Sequence, residues 1–315
     1  MFRRRLLGAA PALALLSAPG LRAQPAWPSQ PVRLVVAFAP GGVADIMARV
    51  FAPKLSEALG QPVVVENKPG ANSVVGADFV KNAPADGHTL YLASDQMANM
   101  PFVVPNLPFR PVDDFTYITQ CAFFYHVILV GPRSPHRTIN DLIAAIRARP
   151  EMINVGSVGI ARTVKFAVQA EAPVNIVNYR VTGDLLAAVS NGGLDVGIEV
   201  IAPSLPLIES GAVRALATSG DRRATQLPAI TTCQEAGVPY LMRSWNGIIG
   251  PARLPAPVVE RVAREMRRIM AMADVRERLA PLGVEITPSS PDEFTAFARA
   301  ETATWAGMAD RLVPR

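Results

Sequence analysis

The stretch RLVVAFAPGGVADIMAR, residues 33–49, places a Pro40-Gly41-Gly42 turn between an apolar run and a predicted helix. The first backbone N–H groups of such a helix have no intrahelical partner, and the helix dipole adds partial positive charge there. Carboxylates and phosphates bind at such a helix start, so the stretch predicts an anion site. The alternative is an ordinary strand-to-helix turn of an α/β domain. The predicted contacts are Phe38, Pro40, Gly41, Gly42, Val43, Ala44 and Asp45.

The N-terminus predicts export. Arg3, Arg4 and Arg5 precede the apolar stretch LLGAAPALALLSAPG, which prolines break and which is too short to span a bilayer. Ala23 supplies the small residue that signal peptidase requires, so residues 1–23 are the predicted signal peptide. Both the general secretory and the twin-arginine routes fit this pattern. We expect a periplasmic protein without a membrane anchor.

The net charge argues against nucleic acid as a partner. The full chain carries 31 Lys and Arg against 26 Asp and Glu, a formal net charge of +5. The predicted signal contains four arginines and no acid, so the mature chain has 27 basic residues and a net charge of +1. A nucleic-acid-binding protein normally has a larger basic excess.

Cysteine and histidine are too sparse to predict a metal or redox centre. Cys121 and Cys233 are the only cysteines, and an oxidising compartment permits them to pair. The three histidines are scattered without metal-ligand spacing. No metal and no cofactor is expected.

Strand-like and helix-like segments alternate along the chain, which is typical of parallel sheets covered by helices. The length of the mature chain favours two lobes over one compact core. Ser290 and Glu293 match a capping box at the start of the last helix, with Pro291 at its first position. Further predicted strands are QPVVVENKPG, DGHTLYLAS, VILVGPRSP, INVGSVG, NIVNY, DVGIE and AVRALATSG, and further predicted helices are residues 46–58, GADFVKNA, residues 138–149 and PVVERVAREMRRIMA.

The order of motifs along nearly the whole mature chain resembles the Bug family, the periplasmic substrate-binding proteins of tripartite tricarboxylate transporters. The motifs that carry the resemblance are PVRLVVAFAPGGVADIMAR, QPVVVENKPG, GADFV, DGHTLYLAS, LPFRPVDDF, VRALATSGDRR, LPAITTCQEAGVP and SWNGIIGPARLPAPVV. No single motif is decisive, but the ordered set is specific.

The resemblance implies an α/β fold of the periplasmic-binding-protein type, type II-like, with two lobes that close on a ligand cleft. Each lobe is a mixed or parallel sheet covered by helices. The first lobe would comprise residues 24–127 and 247–315, and the second residues 128–246. The chain would cross between them near residues 126–130 and 244–247.

In the family, backbone amides and ordered waters from two first-lobe loops hold a ligand carboxylate, and second-lobe loops contact the rest. The first-lobe loops match residues 40–45 and 70–76. Beyond the residues named above, the implied contacts are Asn72, Ser73, Ser94, Asp95, Ser157, Gly159, Arg162, Thr163, Tyr179, Thr182, Gly183, Asp184 and Glu199. No catalytic residue is expected.

The chain departs from the family at one of the first-lobe loops and at two of the second-lobe loops. The usual glycine-rich second loop reads Gly70-Ala71-Asn72-Ser73 here, which restricts its backbone angles and puts its amide grip in doubt. Arg162 and Lys165 add two cations after Gly156-Ser157, where the family commonly has small residues and a histidine. Val181 and Thr182 likewise replace the small residues that often follow the tyrosine-lysine pair.

Arg162 and Asp45 each have two interpretations. The guanidinium of Arg162 suits a bidentate contact with a second ligand carboxylate. Alternatively Arg162 pairs with Asp184 or Glu199, or faces solvent. Asp45 is interpreted as a charge that complements the helix start, with a water-mediated ligand contact as the alternative.

The sequence therefore predicts a monomeric receptor, not an enzyme, that binds a small organic acid and presents it to integral-membrane transporter subunits. One alternative is a ligand sensor that reports to a sensor kinase. A secreted hydrolase is disfavoured because G-x-G-x-x-G, G-x-S-x-G and P-loop motifs are absent.

Overall fold

The computed structural model describes residues 27–309, so the predicted signal peptide lies outside the described residues. Strands and helices alternate as the sequence predicts. The strands are β1 (Val32–Val36), β2 (Val63–Asn67), β3 (Thr89–Ser94), β4 (Phe115–Val130), β5 (Asn154–Val158), β6 (Asn175–Tyr179), β7 (Val196–Val200), β8 (Arg214–Thr218), β9 (Arg243–Pro251) and β10 (Val284–Ile286). The helices are α1 (Val43–Leu59), α2 (Val74–Lys81), α3 (Gln96–Val103), α4 (Ile139–Ala148), α5 (Ala161–Gln169), α6 (Thr182–Asn191), α7 (Ile201–Glu209), α8 (Ala256–Met270), α9 (Ala273–Leu279) and α10 (Pro291–Ala306).

The long strand β4 belongs to two sheets. As far as Tyr125 it pairs with β9, in a first sheet that also contains β1, β2, β3 and β10. From His126 onward it pairs with β7 and from Val127 with β8, in a second sheet completed by β5 and β6. The two-lobed α/β architecture is confirmed, with the sheets joined where β4 passes from one to the other. The residue boundaries of the lobes stay a prediction.

The strand directions turn the carboxyl ends of the two sheets toward each other. In the first sheet β1 and β3 are parallel, and β3 and β4 are both antiparallel to β9, so β1–β3 run in the same direction as β4. In the second sheet β7 is antiparallel to β4, and β5 is parallel to both β6 and β7. Ligands of α/β sheets bind at carboxyl ends. This geometry therefore directs the loops after β1–β3 and after β5–β7 to the junction.

The C-terminal helix α10 packs against both halves of the molecule. Near its start, Phe294 contacts Tyr117 and Trp245 in a core cluster of the first sheet. Near its end, Trp305 is buried in the cluster built mainly by the second sheet and α4, and Met308 lies in the same cluster beyond the helix. The predicted capping box is confirmed, since Ser290 Oγ accepts the Glu293 N–H and Glu293 accepts the Ser290 N–H.

Strand β4 is longer than predicted. The sequence predicts a strand that begins near Val127, whereas the strand begins at Phe115. The first half of the strand is not predicted because the polar residues Thr119 and Gln120, which are buried in the structure, interrupt its apolar pattern. Ser289 accepts a hydrogen bond from the Thr119 hydroxyl at its carbonyl and another from the Gln120 N–H at its hydroxyl.

The two cysteines do not form a disulfide. Cys121 is buried in the core of the first sheet and Cys233 in that of the second, and both are free thiols. Burial raises the pKa of each thiol to about 12.

Candidate ligand-binding site between the two sheets

The loop from β1 to α1 presents free backbone donors. Gly42 is in extended conformation (φ −79°, ψ 169°) and its carbonyl accepts the first helical hydrogen bond, from Ile46. Among residues 27–309 no group accepts a hydrogen bond from the N–H of Val43, Ala44 or Asp45. The partial positive charge of the α1 dipole adds to these donors. A carboxylate at the end of β1 would meet this helix start.

The side chain of Asp45 holds this loop in place. It is 2% exposed, and its carboxylate accepts hydrogen bonds from Gly41 N and Arg49 Nε at 2.9 Å and from Asn67 Nδ2 at 2.9 Å. Asn67 also donates to the carbonyl of Phe38, so β1, β2 and α1 are joined through two side chains. Burial acts to raise the pKa of Asp45, but the hydrogen bonds from Arg49, Gly41 and Asn67 together lower it to about 2. The contacts favour the interpretation of Asp45 as a structural charge.

Arg49 and Asn67 are not among the predicted site residues, although the sequence indicates each of their positions. Arg49 follows Asp45 by four residues, the spacing at which opposite charges meet on a helix. Asn67 is the last residue of a strand that is parallel to β1 and adjacent to it, which places its side chain at the same sheet edge.

The second loop of the first sheet has positive φ angles at four successive residues, three of which are not glycine. Gly70 has φ 134°, and Ala71, Asn72 and Ser73 have φ values of 45°, 57° and 70°. The side chains therefore do not prevent the left-handed conformation. Asn72 is exposed, while Ser73 is buried and donates from its hydroxyl to the side-chain oxygen of Gln96.

Ser94 is the last residue of β3 at the junction, Asp95 follows it before α3, and both are buried. Asp95 Oδ2 accepts a hydrogen bond from Ser244 Oγ at 2.7 Å, and the same hydroxyl lies 3.2 Å from His126 Nε2. Burial raises the pKa of Asp95, against the opposing charges of Arg162 and Lys165. Burial and the Arg162 charge hold the pKa of His126 well below its ordinary value.

This cluster is not a hydrolytic triad. In such a triad the histidine lies between the serine and the acid. Here the serine lies between Asp95 and His126, and its hydroxyl is fully buried. The geometry offers no nucleophile that a substrate could reach at this point.

On the second sheet, the hydroxyls of Ser157 in β5 and Thr163 in the first turn of α5 lie against each other across the intervening loop. Ser157 Oγ lies 2.8 Å from Thr163 Oγ1 and donates to the Gly159 carbonyl at 2.6 Å, and both hydroxyl-bearing residues are fully buried. These hydroxyls fix the turn into α5. Their predicted contact with a ligand stays a prediction.

Arg162, in the first turn of α5, pairs with Glu199 at the end of β7. Arg162 Nη1 lies 3.8 Å from Glu199 Oε1 and donates to the Val158 carbonyl at 2.9 Å. Glu199 Oε2 also accepts a hydrogen bond from Thr182 Oγ1 at 3.3 Å. Of the interpretations left open by the sequence, the pairing with Glu199 is therefore present in the structure.

The loop after β6 is the most open part of the predicted site. Tyr179 and Thr182 are half-buried, whereas Gly183 and Asp184 in the first turn of α6 are exposed. No group in the described chain accepts a hydrogen bond from the N–H of Thr182, Gly183 or Asp184. The start of α6 is therefore a further group of free donors on this side.

No helix within residues 27–309 is both long and apolar enough to cross a bilayer. The same range contains no group of three His, Cys, Asp or Glu side chains positioned to hold a metal ion.

Comparisons of sequence identify relatives over most of the chain. The family model of the tripartite tricarboxylate transporter family receptors matches residues 47–312. A UPF0065 protein in the tcbD-tcbE intergenic region of Pseudomonas sp. strain P51 is 33% identical over 310 residues, 96% of this chain and 92% of that protein. Protein BugT of Bordetella pertussis is 30% identical over 290 residues, 90% of this chain and 89% of BugT.

Solved structures with the same fold include receptors with bound acids. An R. palustris protein with adipate is 29% identical with a TM-score of 0.79, and 91% of this chain and 98% of that chain are covered. MatC from Rhodopseudomonas palustris with bound malate is 26% identical with a TM-score of 0.78, over 90% of this chain and all of MatC (100%). The periplasmic binding protein BugD is 26% identical with a TM-score of 0.76, over 91% and 98%.

Proposed function

The chain belongs to the tripartite tricarboxylate transporter receptor family, and from this premise we propose that it captures a small organic acid between its two sheets and presents it to membrane transporter subunits. Members of this family are substrate-binding receptors rather than enzymes, and the relatives of known structure are periplasmic binding proteins. We further propose that the chain is exported and cleaved after Ala23, and that the mature protein acts as a monomer.

The observation that carries the proposal is the helix start at residues 43–45. Its free N–H groups bind an anion without requiring a buried cation, which would itself be costly to desolvate. Asp45 does not occupy these donors, because its carboxylate is engaged by Gly41, Arg49 and Asn67. Malate and adipate in two relatives support a carboxylate as the ligand.

The remaining predicted contacts surround the same junction. The loop at residues 70–73 and the end of β3 would complete the first-sheet side, and the loops after β5, β6 and β7 would close over the ligand. Closure would stabilise one arrangement of the two halves, which the membrane partner would recognise. The step needs neither a cofactor nor an energy source.

The variant Val43→Pro tests whether the backbone N–H groups at the start of α1 bind the ligand. Proline is favoured at the first position of a helix and removes one N–H, and the extended Gly42 before it has the backbone that precedes proline. A lost hydrogen bond to a charged group costs about 1.5–3 kcal/mol. We expect the affinity for every bound acid to fall by about tenfold or more.

Val43→Ala is the matched control, because it shortens the same side chain but keeps the N–H. A thermal-shift screen of organic acids would first identify the bound acids, since a ligand of the native state raises its melting temperature. Isothermal titration would then compare the two variants. If Val43→Pro and Val43→Ala bound the acids with equal affinity, the Val43 N–H would not contribute to ligand binding, which would contradict the proposal.

The transport role needs a separate test. In a strain lacking this protein, uptake of the bound acid should be lost and should return with the wild-type gene. Normal uptake accompanied by loss of gene induction would instead identify a sensor.

A further inference from the structure

The loops after β2 and β6 form the margin of the junction that lies farthest from the strand shared by the two sheets. Three strands separate β2 from β4 in the first sheet, and two strands separate β6 from β4 in the second. A rotation of one sheet against the other about β4 therefore changes the distance between these two loops more than the distance between loops nearer to β4. We define the rim as residues 68–75 and 180–184.

Each half of the rim exposes an apolar side chain. Val75, near the start of α2, is 48% exposed, and Val181, directly before α6, is 56% exposed. Three other large apolar side chains are exposed among residues 27–309, and they lie near the amino ends of β2, β5 and β6, away from the junction. They are Val64, Met152 and Ile176.

The stability of α6 does not explain Val181. This residue is the N-cap of α6, with an extended backbone (φ −134°, ψ 132°) and no hydrogen bond from the helix to its side chain. Serine, threonine, asparagine and aspartate are favoured at an N-cap because their side-chain oxygen accepts a first-turn N–H, and valine is disfavoured. Keeping those N–H groups free for a ligand would require only alanine or glycine. The exposed valine therefore indicates a contact with another molecule.

The surface beside Val75 is an apolar groove with a cation on its wall. The groove has a volume of about 680 Å³, and its lining includes Val75, Phe79, Pro84 and Pro108. The guanidinium of Arg33, which also lines the groove, lies 5.5 Å from the centre of the Phe79 ring. An apolar side chain of a partner would fit this groove.

An arginine without an ion pair accompanies the apolar surface on each half. Arg33 and Arg180 are exposed, and neither forms a salt bridge within the described residues 27–309. The neighbouring acids of the first sheet are paired with lysines, Glu66 with Lys68 at 2.7 Å and Asp78 with Lys81 at 4.0 Å. Both halves are therefore complementary to apolar groups flanked by acidic ones. A second copy of this chain would bring the same cations to the rim, which disfavours self-association.

We propose that the rim is the docking surface for a membrane subunit of the transporter, and that this subunit presents an apolar segment flanked by acidic side chains. The inference rests on the proposed function, because it names the surface through which closure is recognised. A partner that contacts Val75 and Val181 together binds the spacing that the closed, ligand-loaded protein gives them. The valines and the groove supply the buried apolar contact, and Arg33 and Arg180 orient the partner.

Serine variants of the two valines test the docking surface. Each variant would be expressed in a strain that lacks this protein, and uptake would be measured for the acid that gives the largest thermal shift. Isothermal titration gives the concentration that saturates each variant, so uptake is compared between loaded receptors, and immunoblots give their amounts. We expect uptake to fall about fivefold or more in Val75→Ser and in Val181→Ser. The melting temperature of Val181→Ser should equal or exceed that of the wild type, because serine is favoured at the N-cap.

Met152→Ser is the matched control for the valines. Met152 is 71% exposed, more than either valine, and it precedes β5 at the end of the sheet away from the junction. Arg180→Glu reverses a charge of the rim and should lower uptake about tenfold or more. Arg149→Glu is its control, because Arg149 is an exposed arginine that lines the same distal cavity as Met152. Uptake in both controls should stay within about twofold of wild type.

Arg180→Glu keeps the inference testable if a serine variant does not fold, because Arg180 has no salt bridge to lose within the described chain. Wild-type uptake in the folded rim variants would overturn the inference and leave the proposed function intact, as would an equal loss in Met152→Ser. A dimer of the wild type that Val181→Ser abolishes, measured by analytical ultracentrifugation, would assign the rim to a second copy and also overturn the inference. If the wild-type gene itself did not restore uptake, the proposed transport function would be overturned instead.

Discussion

The two sides of the junction are built in different ways. On the first sheet, the β1–α1 loop is tied by hydrogen bonds from Gly41, Arg49 and Asn67 to one buried carboxylate, and the groups left over are backbone amides. On the second sheet, the segments after β5 and β6 and the end of β7 present side chains. Arg162 at the start of α5 and Thr182 at the start of α6 are grouped around Glu199, and the start of α6 is exposed. The free donors of the first sheet are backbone amides, so their positions follow from the fold. The groups of the second sheet are side chains, so a single substitution can change their chemistry.

This difference fits a division of labour in the proposed receptor. Preorganised amides recognise the acid group that all ligands of the family would share, because their positions follow from the backbone. The side chains of the second sheet discriminate among ligands, because a single substitution changes the charge or the length of the group that meets the ligand. We therefore expect substitutions on the first sheet to affect stability and all ligands, and substitutions on the second sheet to affect selected ligands.

The largest expected effect is that of removing Asp45. Asp45→Ala leaves Gly41 N, Arg49 and Asn67 without their shared acceptor, and the loss of hydrogen bonds to a buried carboxylate should lower the free energy of unfolding by about 2–3 kcal/mol. The affinity for every acid should fall as well, because the start of α1 loses its anchor. Urea denaturation and isothermal titration measure the two effects.

Asp184→Ala is the counterpart on the second sheet. Asp184 is also an acidic residue in the first turn of a helix, but it is exposed and its side chain makes no hydrogen bond within residues 27–309. Its removal should change the free energy of unfolding by less than about 0.5 kcal/mol. If Asp45→Ala and Asp184→Ala lowered the free energy of unfolding by similar amounts, the two sides would not differ as proposed.

The second prediction compares glycines near the starts of α2 and α6. A Cβ on Gly76 would lie 2.7 Å from the Cβ of Ala37 at the end of β1, so Gly76→Ala should destabilise the protein by about 1–3 kcal/mol. A Cβ on Gly183 would meet no heavy atom within 4 Å. Gly183→Ala should therefore be neutral or stabilising by up to about 1 kcal/mol, because alanine favours the helix. Chemical denaturation of both variants gives the two values, and a stable Gly76→Ala protein would show that the first-sheet packing is looser than the structure indicates.

The third prediction concerns acid pH. The pKa of Asp45 is about 2 in the folded protein, below the ordinary value near 4 that the unfolded chain has. Its ionised form is therefore stabilised by folding, and this contribution is complete above about pH 4 and lost as the pH falls toward about 2. Asp45→Asn should be less stable than wild type at neutral pH, and the gap should narrow across this window.

The difference between the wild type and Asp45→Asn isolates this group from other acid-sensitive carboxyls. Asp141 and Glu293, which accept backbone hydrogen bonds at helix starts, also have lowered pKa values and contribute to acid unfolding of both proteins. A gap that stays constant from neutral pH to about pH 2 would show that Asp45 is not preferentially ionised in the folded state.

The sequence predicts the first-sheet side better than the second. The strand-Gly-Gly-helix pattern at residues 33–49 localises free amides, because the backbone itself makes the site. The pairing of Arg162 with Glu199 could not be chosen from the sequence, because the residues are 37 positions apart (199 minus 162) and Asp184 was an equal candidate. The buried Asp95–Ser244–His126 cluster could not be predicted either, since its three segments are distant in sequence and meet only because β9 pairs with β3 on one side and with β4 on the other.

The smallest expected effect tests the loop in which this chain departs from its family. Ala71 has φ 45°, a left-handed conformation that costs an L-residue about 1–2 kcal/mol and costs glycine nothing. Ala71→Gly should remove this cost. Part of the resulting stabilisation is offset by the greater conformational freedom of glycine in the unfolded chain, so the net stabilisation should be about 0.5–1 kcal/mol. Asn72→Gly should gain less, because asparagine tolerates this conformation better than alanine. The melting temperatures of the two variants check whether Ala71→Gly is stabilised more than Asn72→Gly. If Ala71→Gly lowered the melting temperature, the left-handed backbone would not be a source of strain, and the side chains of this loop would have to stabilise the first-sheet side in their own right.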